Sequence, residues 1–144
     1  MAKPLYSTNC FNTLIRVAED CPAQRGEEPQ LRGGQPTVAV LQYRMIAEAP
    51  YKYTSDDVVF ATSSAGRALD AKAAKKARSL ARETFFSRGQ ACMRASPLGK
   101  RFGWGVHADA EGRIAIYAVD SKRYQVLARD PDIAQTRAMR SKRT

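Results

Sequence analysis

Two neighbouring stretches of the chain alternate apolar residues with polar or small ones: RFGWGVH, residues 101–107, and RIAIYA, residues 113–118. Alternation at period two predicts a pair of half-buried strands. The connecting ADAEG, residues 108–112, reads as a hairpin loop in which Gly112 is free to take positive φ. That loop sets Val106 opposite Ile114 and Trp104 opposite Ile116. Phe102, Trp104, Val106, Ile114 and Ile116 then share one face, which must be core, and Trp104 is expected to be buried in it. Arg101, Gly103, Gly105, His107, Arg113, Ala115 and Tyr117 share the other face. Residues 91–95 supply a preceding strand, making a C-terminal antiparallel β-meander. Residues 11–18 (FNTLIRVA) are rich in β-branched side chains and predict a further strand.

Helical periodicity marks other segments. Thr37 can cap a helix carrying Val38, Leu41, Met45 and Ile46 on one side, which Pro50 stops. Residues 68–86 are alanine-rich and hold no Gly or Pro, so they read as one helix. Leu69, Ala73, Ala77, Leu80 and Thr84 lie on one side of it; Arg67, Lys72, Lys75, Lys76, Arg78 and Arg82 fill the other. Asp120 or Ser121 opens a helix containing Tyr124 and Leu127, and Asp130-Pro131 opens a last one. At residues 55–62, Val58, Val59 and Phe60 favour a strand, against a helix start at Ser55, Asp56 and Asp57. Residues 19–36 form a long loop with three prolines and three glycines. The resulting order, β-α-β-α-β-β-β-α-α, predicts a single α+β domain over residues 1–136. Its sheet is mostly antiparallel with about five strands, and helices pack on one side. Residues 137–144 form a basic C-terminal tail.

Composition adds the charge distribution. The 144 residues carry a net charge of +10, and it is unevenly spread. Residues 1–66 hold six basic and seven acidic side chains, residues 67–101 ten and two, and residues 102–136 four and five. Arg137, Arg140, Lys142 and Arg143 close the chain. Such a basic middle concentrates anions, whether nucleotide or nucleic acid. The basic side of the 68–86 helix is either a solvated surface or a phosphate-facing patch. No stretch is apolar enough to cross a membrane or to act as a signal peptide. Three cysteines, Cys10, Cys21 and Cys92, are an odd and sparse set without a CxxC pair, so a reducing cytoplasm is the expected compartment.

The chain's rarest residues meet on the second hairpin face. Gly103 and Gly105 leave bare backbone in a strand, where glycine weakens pairing. Either Tyr117 lies across that backbone or a ligand approaches it. In the second case Arg101, His107 and Arg113 rim a groove, with Arg94 joining from the neighbouring strand. The site residues expected for an anionic ligand are therefore Arg94, Arg101, Gly103, Gly105, His107, Arg113 and Tyr117. An alternative is a small enzyme using His107, the only histidine, as general acid or base with Arg94 and Arg101 as anion clamps. A homodimer or partner scaffold is a third class. The twin tyrosines of PYKYTSDD either line a pocket wall or pack in the core. Cys21, Cys92, His107 and Asp109 have no metal-motif spacing, and no phosphate-binding P-loop is present, so no metal or cofactor is expected.

The blocks STNCFNTLIRVAEDCP, PYKYTSDDVVF, SRGQACMRASPLGKRFGWGVHADAEGRIAIY and AMRSKR run through nearly the whole chain. They resemble the successive blocks of a domain-of-unknown-function family of small bacterial proteins. The resemblance implies a shared fold and brings no activity with it. Residues 68–82 lie outside these blocks, whereas Arg94, Arg101, Gly103, Gly105 and His107 lie within the central one.

Overall fold

Over residues 5–69 and 72–142, which the computed structural model describes, a four-stranded sheet forms in the order β3-β2-β1-β4. The strands are β1 (Thr13–Arg16), β2 (Trp104–Ala108), β3 (Ile114–Ala118) and β4 (Ala134–Arg137). β2 pairs antiparallel with both β1 and β3, but β1 and β4 run parallel, so the sheet is mixed. The hairpin is in register two residues away from expectation: Val106 faces Ile116, Trp104 faces Ala118, and Ala108 faces Ile114. Asp109 explains the shift. Its carboxylate accepts from the backbone N–H groups of Glu111 and Arg113, and Gly112 adopts φ +81°. The turn thus spans 109–113, and Ala108 joins the strand. A shift of two leaves the side chains within the two strands on their expected faces.

Two expected strands are absent because local caps outweigh the apolar pattern. At residues 55–62 the chain forms a helix, α2 (Ser55–Ala61). Thr54 accepts from the Asp57 N–H while the Asp57 carboxylate accepts from the Thr54 N–H, a reciprocal capping box that fixes the first turn. Residues 91–95 hold only a 3₁₀ turn, Met93–Ala95, which leads into α5 (Pro97–Arg101). Ser96 caps that helix and Pro97 opens it, a cap-plus-proline start. The sheet accordingly has four strands among the described residues, not five. In place of the last expected helix, Asp130 accepts from the Asp132 N–H in a turn, and the chain then enters β4. Beyond Arg137, Ala138 is buried in the core, and the Asp20 carboxylate accepts from the N–H groups of Ser141 and Lys142. Much of the expected tail is thus held on the body, while Arg143 lies outside the described residues.

Two other helices form where periodicity placed them. α1 (Val38–Glu48) is capped by Thr37, and α6 (Lys122–Ala128) by Ser121. A short α3 (Ser64–Arg67) precedes the basic segment, and the segment itself is helical only as α4 (Lys75–Phe86), not over all of 68–86; residues 70 and 71 of that range lie outside the described residues.

The helices cover both sides of the sheet, not one. On the first face, Ile15, Val106, Ala108 and Ile114 pack with Ile46 of α1, Val58 of α2 and Leu98 of α5. A buried polar chain ties these helices together: Ser96 donates to Gln42, and Gln42 to Thr62. Among the described residues, every buried side-chain nitrogen or oxygen has a partner. On the second face, Leu14, Gly105 and Ala115 lie beneath α6, whose Tyr124 and Leu127 are buried. Trp104 sits at the margin of the first face and is only half-buried, against the expectation of full burial. Its ring packs on Tyr43 at 5.4 Å, and Nε1 donates to the Glu27 carbonyl at 2.8 Å.

Candidate functional site

The glycine face is closed. A β-carbon at Gly105 would lie 2.5 Å from Cε2 of Tyr124, so the missing side chain admits the α6 tyrosine, whose hydroxyl accepts from the Val17 N–H. Gly103 has φ +81°, and a β-carbon there would meet the Arg25 carbonyl at 2.3 Å. Both glycines serve the backbone and close packing, and they leave no open groove. Arg94 donates to the Arg137 carbonyl beside β4. Arg101 ends α5, on the opposite side of the sheet from His107, and lines a shallow pocket with Arg32, Thr37 and Phe102. Neither arginine joins His107.

His107 has other company. Tyr51 sits where the chain passes the outer edge of β3, with its N–H donating to the Ile114 carbonyl. Its hydroxyl lies 2.8 Å from His107 Nδ1 and 2.8 Å from the Tyr117 hydroxyl. Tyr51 holds this position with φ +59°, a left-handed conformation that a bulky residue rarely adopts. Burial pulls the His107 imidazolium pKa below its ordinary value, and Arg123 acts in the same direction against Asp109 and Asp130. Burial and then the hydrogen bond with Tyr117 push the Tyr51 phenol well above its ordinary range. The trio is a hydrogen-bonded cluster in which both shifts favour the uncharged forms of His107 and Tyr51. None of the larger clefts opens onto it.

A second constellation lies between α2, α3 and α4. There a cleft of about 690 Å³ is floored by Met45, Tyr53, Phe60 and Ala61. Lys52, Lys75, Arg78, Arg82 and Arg113 surround it, with Asp57 as the one carboxylate among the described lining residues. Asp57 is already engaged: Arg82 donates to it at 2.7 Å while it serves the α2 cap. Burial alone would raise its pKa, but the Thr54 N–H and Arg82 outweigh that and hold it below the usual carboxylate range. The same ion pair docks α4 onto α2, helped by the edge-to-face packing of Phe60 and Phe85. Arg113 reaches the cleft from the hairpin and donates to the Lys52 carbonyl and to Glu111. A second cleft of about 620 Å³ shares Met45, Lys52, Tyr53 and Ala61 with the first and adds Arg44 and Arg67.

The expected residues thus divide. Lys75, Arg78, Arg82 and Arg113 come together in the cleft; His107 and Tyr117 meet at Tyr51; Lys72 and Lys76 are exposed and line neither cleft. Lys52 and Tyr53 of the cleft were signalled only by the tyrosine pair of PYKYTSDD, which carries no motif for either role. Burial pushes the Cys10 thiol up, and nearby Cys92 adds to this, so the thiolate a nucleophile needs is disfavoured there. No group of three or more metal-ligating side chains occurs among the described residues. No helix among them is long and apolar enough to cross a membrane.

No curated protein and no solved structure matches the chain. Its blocks do find their family: a model matches residues 5–144, and the chain belongs to the family of unknown function DUF6157.

Proposed function

We propose that the protein is a binding module for an anionic ligand, and that the ligand sits in the α2–α4 cleft and not on the glycine face. One observation carries this reading: Lys52, Lys75, Arg78, Arg82 and Arg113 line one concavity, with Asp57 as the one carboxylate among its described lining residues. Like charges gathered on one surface concentrate anions, and a bound anion relieves the repulsion among them. The glycine face offers no comparable space, because Tyr124 fills it.

The test is titration of inorganic tripolyphosphate and of a labelled single-stranded oligonucleotide at low and moderate salt, with the Lys75→Glu/Arg78→Glu double variant beside the wild type. Binding is expected to weaken steeply with salt and to be lost in the variant. If neither polyanion binds the wild type at low salt, the module is not an anion binder.

A further inference from the structure

The two walls of the cleft differ in chemistry, and the difference narrows the ligand. Met45 on α1, Phe60 and Ala61 on α2, and Tyr53 between these helices make an apolar floor. Four of the five cations come from other elements, Lys75, Arg78 and Arg82 from α4 and Arg113 from the hairpin, while Lys52 precedes Tyr53 at the edge of the floor. The Arg82–Asp57 pair spans from one wall to the other and joins them. An inorganic anion would answer the cationic wall and leave the apolar floor wet. A nucleic acid strand would use the charges, but strand binding relies on successive aromatic platforms, and the ring-bearing lining residues here are Tyr53 and the buried Phe60. The volume of about 690 Å³ falls within the ~300–1,000 Å³ common for small-molecule sites.

We infer that the ligand is a small amphiphilic anion, in which an apolar body rests on the half-buried Met45 and Tyr53 and a phosphate faces Lys75, Arg78 and Arg113. This inference rests on the anion-binding reading above and specifies the ligand class for the same cleft. Two sources supply such chemistry, a nucleotide with its flat base and an alkyl or acyl phosphate with its chain.

The experiment compares inorganic phosphate, adenosine monophosphate and octyl phosphate by calorimetry on the wild-type protein, with tripolyphosphate as the control for charge alone. At least one of the two organic phosphates is expected to bind about tenfold or more tightly than inorganic phosphate, because it alone covers the floor. A preference for the monophosphate nucleotide identifies a base-binding floor, and a preference for octyl phosphate a chain-binding one. In Tyr53→Ser the advantage is expected to shrink severalfold while tripolyphosphate binding is retained, which also shows that the variant is folded. If tripolyphosphate binds but neither organic phosphate exceeds inorganic phosphate, the amphiphile is refuted and the anion site stands. If nothing binds, including tripolyphosphate, the underlying reading fails with it.

Discussion

The Tyr51 hydroxyl stands 2.8 Å from Nδ1 of His107, although 56 residues separate the two in sequence. That one oxygen also meets the Tyr117 hydroxyl, so it links two groups that would otherwise lie partly buried without these bonds. Tyr51→Phe keeps the ring and removes the link. It is expected to destabilise the fold by about 1–3 kcal/mol, the cost of stranding hydrogen-bonding groups. Chemical denaturation measures it; an unchanged midpoint would mean that water replaces the hydroxyl at no cost.

Acid should weaken the fold through His107. Its folded-state pKa is lowered, so the unfolded chain takes up a proton first as pH falls. The contribution is complete above the unfolded value of about 6.5 and is lost as pH falls through the lower folded value. As the only histidine, His107 gives a single imidazole signal in an NMR titration. A midpoint at or above the free-histidine value would reverse the sign.

Gly105→Val suits strand propensity and yet should be damaging. The new side chain would enter space held by the buried Tyr124 and lie near the Ile15 carbonyl. Overpacking of this kind costs about 1–3 kcal/mol. Gly103→Ala should cost a comparable amount, because its φ of +81° and the Arg25 carbonyl both exclude a β-carbon. Thermal melts of the two variants decide it. A neutral Gly105→Val would mean that α6 can lift away from the sheet.

Asp57→Ala removes the Asp57 half of the α2 capping box and the Arg82 partner together, while the Thr54 side chain still accepts from the N–H of residue 57. The lost hydrogen bond to the Thr54 N–H is worth about 0.5–1.5 kcal/mol. Since the folded pKa of Asp57 is lowered, its stabilisation is present above the unfolded carboxylate range and disappears as pH falls through the folded value. The difference between wild type and variant should therefore narrow in acid. A constant gap across the acid range would separate the cap from the carboxylate's charge.

Trp104→Phe tests what holds the long loop. The indole N–H donates to the Glu27 carbonyl, and the ring lies where a β-carbon on Gly26 would touch it. Losing that donor should speed limited proteolysis within residues 19–36 while the hairpin stays folded. Cleavage at the wild-type rate would place the anchor elsewhere, for instance at the Gly26 N–H bonded to Asp120.

The faces of the hairpin were legible in the sequence because side-chain alternation survives a two-residue register error. Helices with a Ser or Thr cap ahead of an apolar stripe were legible too, as at Thr37 and Ser121. The misread segments are those where a cap and an apolar run disagreed. At Val58, Val59 and Phe60 the Thr54–Asp57 box prevailed over β-propensity, and at 91–95 the Ser96-Pro97 pair redirected the chain. The cationic set was half legible, since Lys75, Arg78 and Arg82 follow from the helix wheel. Their meeting with Arg113 and Lys52 depends on tertiary packing that no spacing encodes. The glycines misled because a bare strand looks the same whether a ligand or a tyrosine fills it.

The parallel pairing of β1 with β4 ties an early segment of the chain to a late one. During synthesis β1 emerges about ninety residues before β2, its first partner, and β4 comes last. Throughout that interval the hydrogen-bonding edges of Leu14 and Ile15 stay open, a template for pairing with other chains. Closing so long a loop must also precede any reward from the contacts it makes. The sheet is therefore completed only after residues 134–137 have been made, and a nascent chain stalled before residue 134 should remain sensitive to protease around β1.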